Sequence, residues 1–193
     1  MKSHEFIDSF KRSGGDYNIP KAVLDVISHI FPGSITVKSG IDFDRRGIDC
    51  IVQIGSKQIT LDYKFRTKDP LRFLHIDDLL LERWSVIPND NCPHGKIGWT
   101  LDPEKQSDYI LWVWTDKNIP NYRRWYMAPR PILRDVFAVN LEHWEHIYEP
   151  IELDERDRRR GISWKTRCIC VPRSVVHDEI MIRSALTCGT LPS

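Results

Sequence analysis

Charge of one sign is missing from this chain. Its 28 basic and 27 acidic residues leave a formal charge of +1, so it is not a polycation that grips nucleic acid in bulk, and any such binding has to come from local patches. Long apolar runs are missing too: none approaches the length a bilayer-spanning helix needs. The opening MKSHEFIDSFKRSGG scatters acids and bases among its apolar residues, as neither a signal peptide nor a membrane anchor does, so no membrane partner is expected. Cysteine is scarce. Five residues, at positions 50, 92, 168, 170 and 188, are an odd number at irregular spacing, which fits reduced thiols in a cytoplasmic protein better than a disulfide framework. Cys92-Pro93-His94, Cys168-x-Cys170 and His177 lack the spacing of a zinc finger or ribbon, so these thiols are expected to be inert. No Gly-rich phosphate loop, no H-E-x-x-H and no G-x-S-x-G elbow occurs, which sets nucleotide-driven and serine-hydrolase chemistry aside. Internal repeats and low-complexity linkers are absent as well.

What is present suits one domain spanning residues 1–193, with seven Trp to supply buried area. Phe6, Ile7 and Phe10 predict a short amphipathic helix over Ser3 to Arg12, stopped by Ser13-Gly14-Gly15. Val23, Leu24, Ile27, Ile30 and Phe31 form one helical stripe, with Pro20 at its start and Pro32-Gly33 at its end. SITVKSG predicts a short strand, and IDCIVQIGSKQITLDYKF a β-hairpin about Gly55-Ser56-Lys57. Leu74, Leu79, Leu80, Leu81 and Trp84 suggest a helix from Leu71 to Trp84, ended by Pro88-Asn89-Asp90-Asn91. Strands are expected over Asp108 to Thr115 and Arg123 to Met127, followed by an irregular turn at Pro129 and Pro131. EPIELDERDRRRG is expected to be an exposed loop or helix end, ISWKTRCICVP a late strand, and RSVVHDEIMIRSAL a terminal helix. This order implies a mixed sheet flanked by helices.

The chemistry concentrates in the hairpin. With a tight turn at Ser56-Lys57, Gly55 faces Gln58 and Asp49 lies opposite Lys64. Period-two alternation then puts Asp62 on the same face, diagonal to Asp49. A one-residue slip would separate them. Two carboxylates in a half-buried site repel one another, and a hard divalent cation relieves that repulsion. Mg²⁺ held by one or two carboxylates keeps waters that serve as ligands for a phosphate and as a nucleophile. Lys64 would orient or deprotonate the attacking water, and the Tyr63 carbonyl oxygen is a further candidate ligand.

Gly47-Ile48-Asp49, followed thirteen positions later by Asp62-Tyr63-Lys64 on the next strand, resembles the PD-(D/E)XK nuclease superfamily, whose acid begins the second core strand and whose (D/E)-x-K lies on the third, between two helices. LLLERWS, GKIGWTLD and SDYILWVW look similar to small bacterial and phage members of that superfamily. Ile48 stands where Pro is usual, and Asp62 where Glu is commoner. The resemblance implies a restriction-endonuclease-like α/β fold, with a core at about 20–128 and residues 129–193 as a C-terminal elaboration. It also implies Mg²⁺- or Mn²⁺-dependent phosphodiester hydrolysis, DNA being favoured over RNA, with Asp49 and Asp62 as metal ligands and Lys64 as the catalytic lysine.

The superfamily often carries a further acid on its first helix, for which Asp25 and, behind it, Glu5 are available; Glu82 is another candidate for the same pocket. Arg45, Arg46, Arg66, Lys68, Arg123 and Arg124 are candidate phosphate contacts, the first two beside Asp42 and Asp44. Each has a blander reading. A D-x-K tripeptide is common, and Asp25 and Glu82 sit where a helix would keep polar residues in water. Trp99, Trp112, Trp114, Tyr122, Trp125 and Tyr126 could stack bases but more commonly pack a core, and the run Arg156 to Arg160 could track phosphates but suits a solvated surface. The rival to the enzyme is a silent nuclease-fold module that binds nucleic acid or inhibits a protein. A homodimer is compatible with either reading.

Overall fold

The computed structural model describes residues 19–38, 43, 45–119, 121–157 and 162–188. The expected helix at Ser3–Arg12, Glu5, Asp42, Asp44 and the basic end of the Arg156–Arg160 run lie outside them. In chain order the elements are α1 (Lys21–Ile30), β1 (Ile35–Lys38), β2 (Cys50–Ile54), β3 (Lys57–Arg66), α2 (Pro70–Leu74), β4 (Asp78–Val86), β5 (Lys96–Ile97), β6 (Tyr109–Trp114), β7 (Arg124–Pro129), α3 (Arg130–Ile147), β8 (Ile151–Asp157), β9 (Ile162–Pro172) and α4 (Arg173–Cys188). The chain divides into two compact units, Met1–His75 with Pro103–Arg130, and Ile76–Asp102 with Pro131–Ser193. The fold is mixed α/β, and no helix among the described residues is long and apolar enough to cross a membrane.

The first unit is a five-stranded mixed sheet in the order β1-β2-β3-β6-β7, in which only the β3–β6 pair is parallel. Of the stripe expected on α1, Val23 and Ile27 are buried and Ile30 and Phe31 pack partly buried beside them, while Val26, outside that stripe, is buried and Leu24 is not; they pack with Cys50, Val52, Leu61, Leu111 and Val113 on one sheet face. Because side chains alternate, Asp62 and Lys64 point to the opposite face. There Lys64 is paired with Trp112, and Trp112 with Tyr126, whose rings lie 5.8 Å apart.

The hairpin forms with its turn one residue earlier than expected, at Gly55-Ser56, so Ile54 faces Lys57 and Cys50 faces Leu61. Gly55 takes φ +58°, which suits a two-residue loop with Gly first. The pairing therefore shifts by two positions. Asp62 and Lys64, two residues apart on one strand, share a face in any register; because the shift is even, the partner that the register gives Asp49 is still on that face, but it is Asp62 rather than Lys64.

The second unit is a four-stranded antiparallel sheet, β5-β4-β9-β8, against which α4 packs through β4 and β9. Three expectations are corrected here. The helix expected over Leu71 to Trp84 is a five-residue helix, α2, ended by His75 in the left-handed region, and then β4, whose Leu79 and Leu81 bury alternately opposite β9. The turn expected at Pro129 and Pro131 opens α3 instead, a helix that buries Leu133, Val136, Phe137 and Trp144 at helical spacing. The stretch expected to be a loop is β8, paired along its length with β9. The late strand and terminal helix form as β9 and α4.

One glycine in this unit is required by space. Gly98 donates its N–H to the Arg83 carbonyl at 2.8 Å, and a methyl group there would press into the backbone of Glu82 and Arg83. Gly98→Ala is expected to cost about 2–4 kcal/mol, because backbone atoms cannot rotate out of the way. Urea denaturation measures it, and a variant as stable as the parent would show that the segment does not lie against β4.

Candidate functional site

Asp49 ends the approach to β2. Its N–H donates to the Leu61 carbonyl at 2.8 Å, and its Oδ2 accepts the Tyr63 N–H at 2.9 Å, so this side chain takes over from the backbone ladder where β2 runs out. Asp62, on β3, is buried at 4 % exposure. Its Oδ1 lies 2.7 Å from Lys64 Nζ, and its Oδ2 accepts from Arg130 Nη2. Burial pushes the neighbouring Cys50 thiol up to about 12, with smaller contributions from the charges of Asp49 and Asp62. The register argument placed Asp49, Asp62 and Lys64 together; the structure pairs Asp62 with Lys64 and sets the Asp49 carboxylate on the backbone N–H of Tyr63, the residue between them.

Arg130 is the member that sequence reasoning missed. It is 2 % exposed, its Nε donates to Ser107 Oγ at 2.6 Å, and its backbone N–H donates to the Asp108 carbonyl at 2.9 Å. Asp108 in turn accepts from Thr60 N and Oγ1 at 2.7 and 2.8 Å, fastening the start of β6 to β3. Gly47, at φ +68°, makes room nearby: a methyl group there would stand 2.8 Å from Lys105 Cδ and 3.5 Å from Arg130 Nη2. The available signal was Pro131, which suits the first turn of a helix, ahead of the apolar stripe from Leu133 to Trp144.

The remaining candidates are scattered. Arg45 and Arg46 are exposed and line a cleft of about 530 Å³ with Glu104 and Gln106, next in sequence to Gly47. Asp25 is exposed on α1, with Arg123 3.3 Å away. Arg124 is committed inward to Asp69 and lies over the Trp114 ring at 3.9 Å. Arg66 donates to the Phe65 carbonyl at the end of β3, and Lys68 is exposed in the turn beyond it. Glu82 belongs to the second unit, where it accepts from Ser85 Oγ and, behind the effect of burial, raises the Glu155 carboxyl. Cys50, Cys92, Cys168 and Cys170 are free thiols.

Among the described residues no three His, Cys, Asp or Glu side chains gather in a metal-ligating group. A cation at Asp49 and Asp62 would thus rest on two carboxylates and keep several waters, a coordination that Mg²⁺ accepts and Zn²⁺ sites do not favour. The donor set fits Mg²⁺ in kind; what departs from a simple acid pair is that both Asp62 oxygens already hold cationic side chains. No family model matches this chain, and neither a curated protein nor a solved structure matches it.

Proposed function

We propose that this chain is a metal-dependent nuclease of the PD-(D/E)XK kind, with a restriction-endonuclease-like sheet in its first unit, acting on DNA in the cytoplasm. The observation that carries the reading is the Asp62–Lys64 pair on the third strand with Asp49, at the entry to the second, bonded to the Tyr63 N–H between them. Asp49 and Asp62 would hold Mg²⁺ or Mn²⁺, with the Tyr63 carbonyl as a third donor. The ion, when bound, supplies Lewis acidity toward a phosphate and an acidified water. Lys64, 22 % exposed, keeps its ammonium at the edge of the site, where it orients the attacking water and offsets phosphate charge. Water oxygen bonds to phosphorus as one ester P–O bond breaks, and the water's proton ends on the departing oxygen. Arg45 and Arg46, exposed and just ahead of Asp49, suit the neighbouring phosphates of the strand.

One observation favours the rival reading, a silent module that keeps the scaffold for binding: the Asp62 carboxylate has Lys64 on one oxygen and Arg130 on the other. The two readings separate on incubating the purified protein with linear, circular and single-stranded DNA and with RNA, under Mg²⁺, Mn²⁺ or EDTA. The enzyme cuts at least one substrate with metal and none with EDTA, and cutting of the circle marks an endonuclease. A folded protein that retains nucleic acid on a gel yet cuts nothing with either metal sinks the enzyme.

A further inference from the structure

A carboxylate meant for a divalent cation has to be kept stable when no cation is there. Asp62 is 4 % exposed, and an uncompensated charge at that depth is among the costliest groups a fold can hold. Lys64 meets one oxygen and Arg130 the other. The two cations differ in freedom. Lys64 is a flexible chain at the rim, able to swing into water. Arg130 is buried, with Ser107 Oγ on its Nε, Gly47 alongside, and its own backbone tied to Asp108, so the guanidinium is built into place.

Resting on the nuclease reading above, we infer that Arg130 is a resident counter-cation that competes with a hard divalent cation for Asp62 and so sets the metal affinity of the site. A metal approaching Asp62 Oδ2 meets an oxygen already satisfied by a charge-assisted bond and must also bear the repulsion of a fixed positive charge. Both effects weaken metal binding, and both disappear when the guanidinium is replaced by a neutral amide. The site would then hold metal only where metal or substrate is plentiful, because a bound phosphodiester adds ligands and gives the displaced guanidinium an anion to meet.

The inference is tested by titrating Mn²⁺ into the metal-free wild type, Arg130→Gln and Asp62→Asn, reading free Mn²⁺ by electron paramagnetic resonance and the melting temperature with and without Mg²⁺. Arg130→Gln is expected to bind Mn²⁺ about tenfold more tightly and to gain more melting temperature from Mg²⁺ than the wild type does, while Asp62→Asn loses Mn²⁺ binding. Ser107→Ala, which loosens the guanidinium without removing its charge, should move in the same direction by less, and it decides the matter if Arg130→Gln does not fold. Equal or weaker Mn²⁺ binding in the arginine variant, with the wild type still binding, overturns the competition and leaves the metal site standing. Absence of Mn²⁺ binding and of cleavage in the wild type itself overturns both.

Discussion

Asp62→Asn is expected to lower stability by about 3 kcal/mol, because it takes the opposite charge from a buried guanidinium. Arg130 is 3 % exposed in its side chain and has no route to water, whereas Lys64, at 22 %, can swing outward; most of the loss therefore comes from Arg130. For a chain of this size that is a fall of about 10 °C in melting temperature. Removing both charges, in Asp62→Asn with Arg130→Met, should recover most of the loss, since replacing a buried pair by apolar volume is often neutral. An asparagine variant that melts with the wild type would show that the pair does not form.

This stability cost bears on how the chemistry is tested. Loss of cleavage in an Asp62 variant can arise from a lost ligand or from a loosened fold, and the buried arginine makes the second explanation real. Lys64→Gln is the cleaner probe: it leaves Asp62 with Arg130 and removes only the partly exposed ammonium. If Lys64 positions the attacking water, its loss is expected to slow cleavage by about a hundredfold or more.

How far the sequence reached depends on which forces fix each element. The α1 stripe and the hairpin strands were legible because periodicity alone decides them. Asp62 and Lys64, two residues apart on one strand, share a face whatever the turn, and because the error in the turn was even the register partner of position 49 is still a residue of that face. Leu79-Leu80-Leu81 was illegible in isolation: three consecutive apolar residues suit a helix or a strand, and the choice is made by β9, about ninety positions on. β8 was hidden because only Ile151 and Leu153 of its seven residues are apolar, so no alternation stands out from the charges. Arg130 could not be read as a site residue while Pro129 and Pro131 were taken as a turn, since its role depends on β7 and α3 meeting at that position. Nor did Arg124 show that it was committed inward, because its partner, Asp69, is 55 residues away.

Asp69→Ala is expected to cost about 4 kcal/mol, because the residue it removes serves a helix, a strand and the loop that leads into that strand. Fully buried, Asp69 accepts from Arg124 Nε and Nη2 at 2.7 Å each, from the Tyr122 hydroxyl at 2.5 Å and from the Leu71 N–H at 3.1 Å, capping α2 and pinning it to β7. Burial alone would raise this carboxyl. The hydrogen bonds from Arg124, Tyr122 and Leu71, with the charge of Arg124, outweigh burial and hold it below its usual range. A depressed acid stabilises the fold fully above its unfolded value, about 3.9, and the gain is lost as the pH falls below that through the folded value. The Tyr122 hydroxyl is pushed up by burial, then by its bond to Asp69 and that residue's charge; its neutral form is therefore secure up to its ordinary value of about 10. The stability gap between wild type and Asp69→Ala should accordingly stay level between about pH 5 and 9 and shrink below about pH 4, as urea denaturation across that range would read. A gap that instead widened in acid would mean that Asp69 is protonated in the folded protein and that Arg124 finds its partner elsewhere.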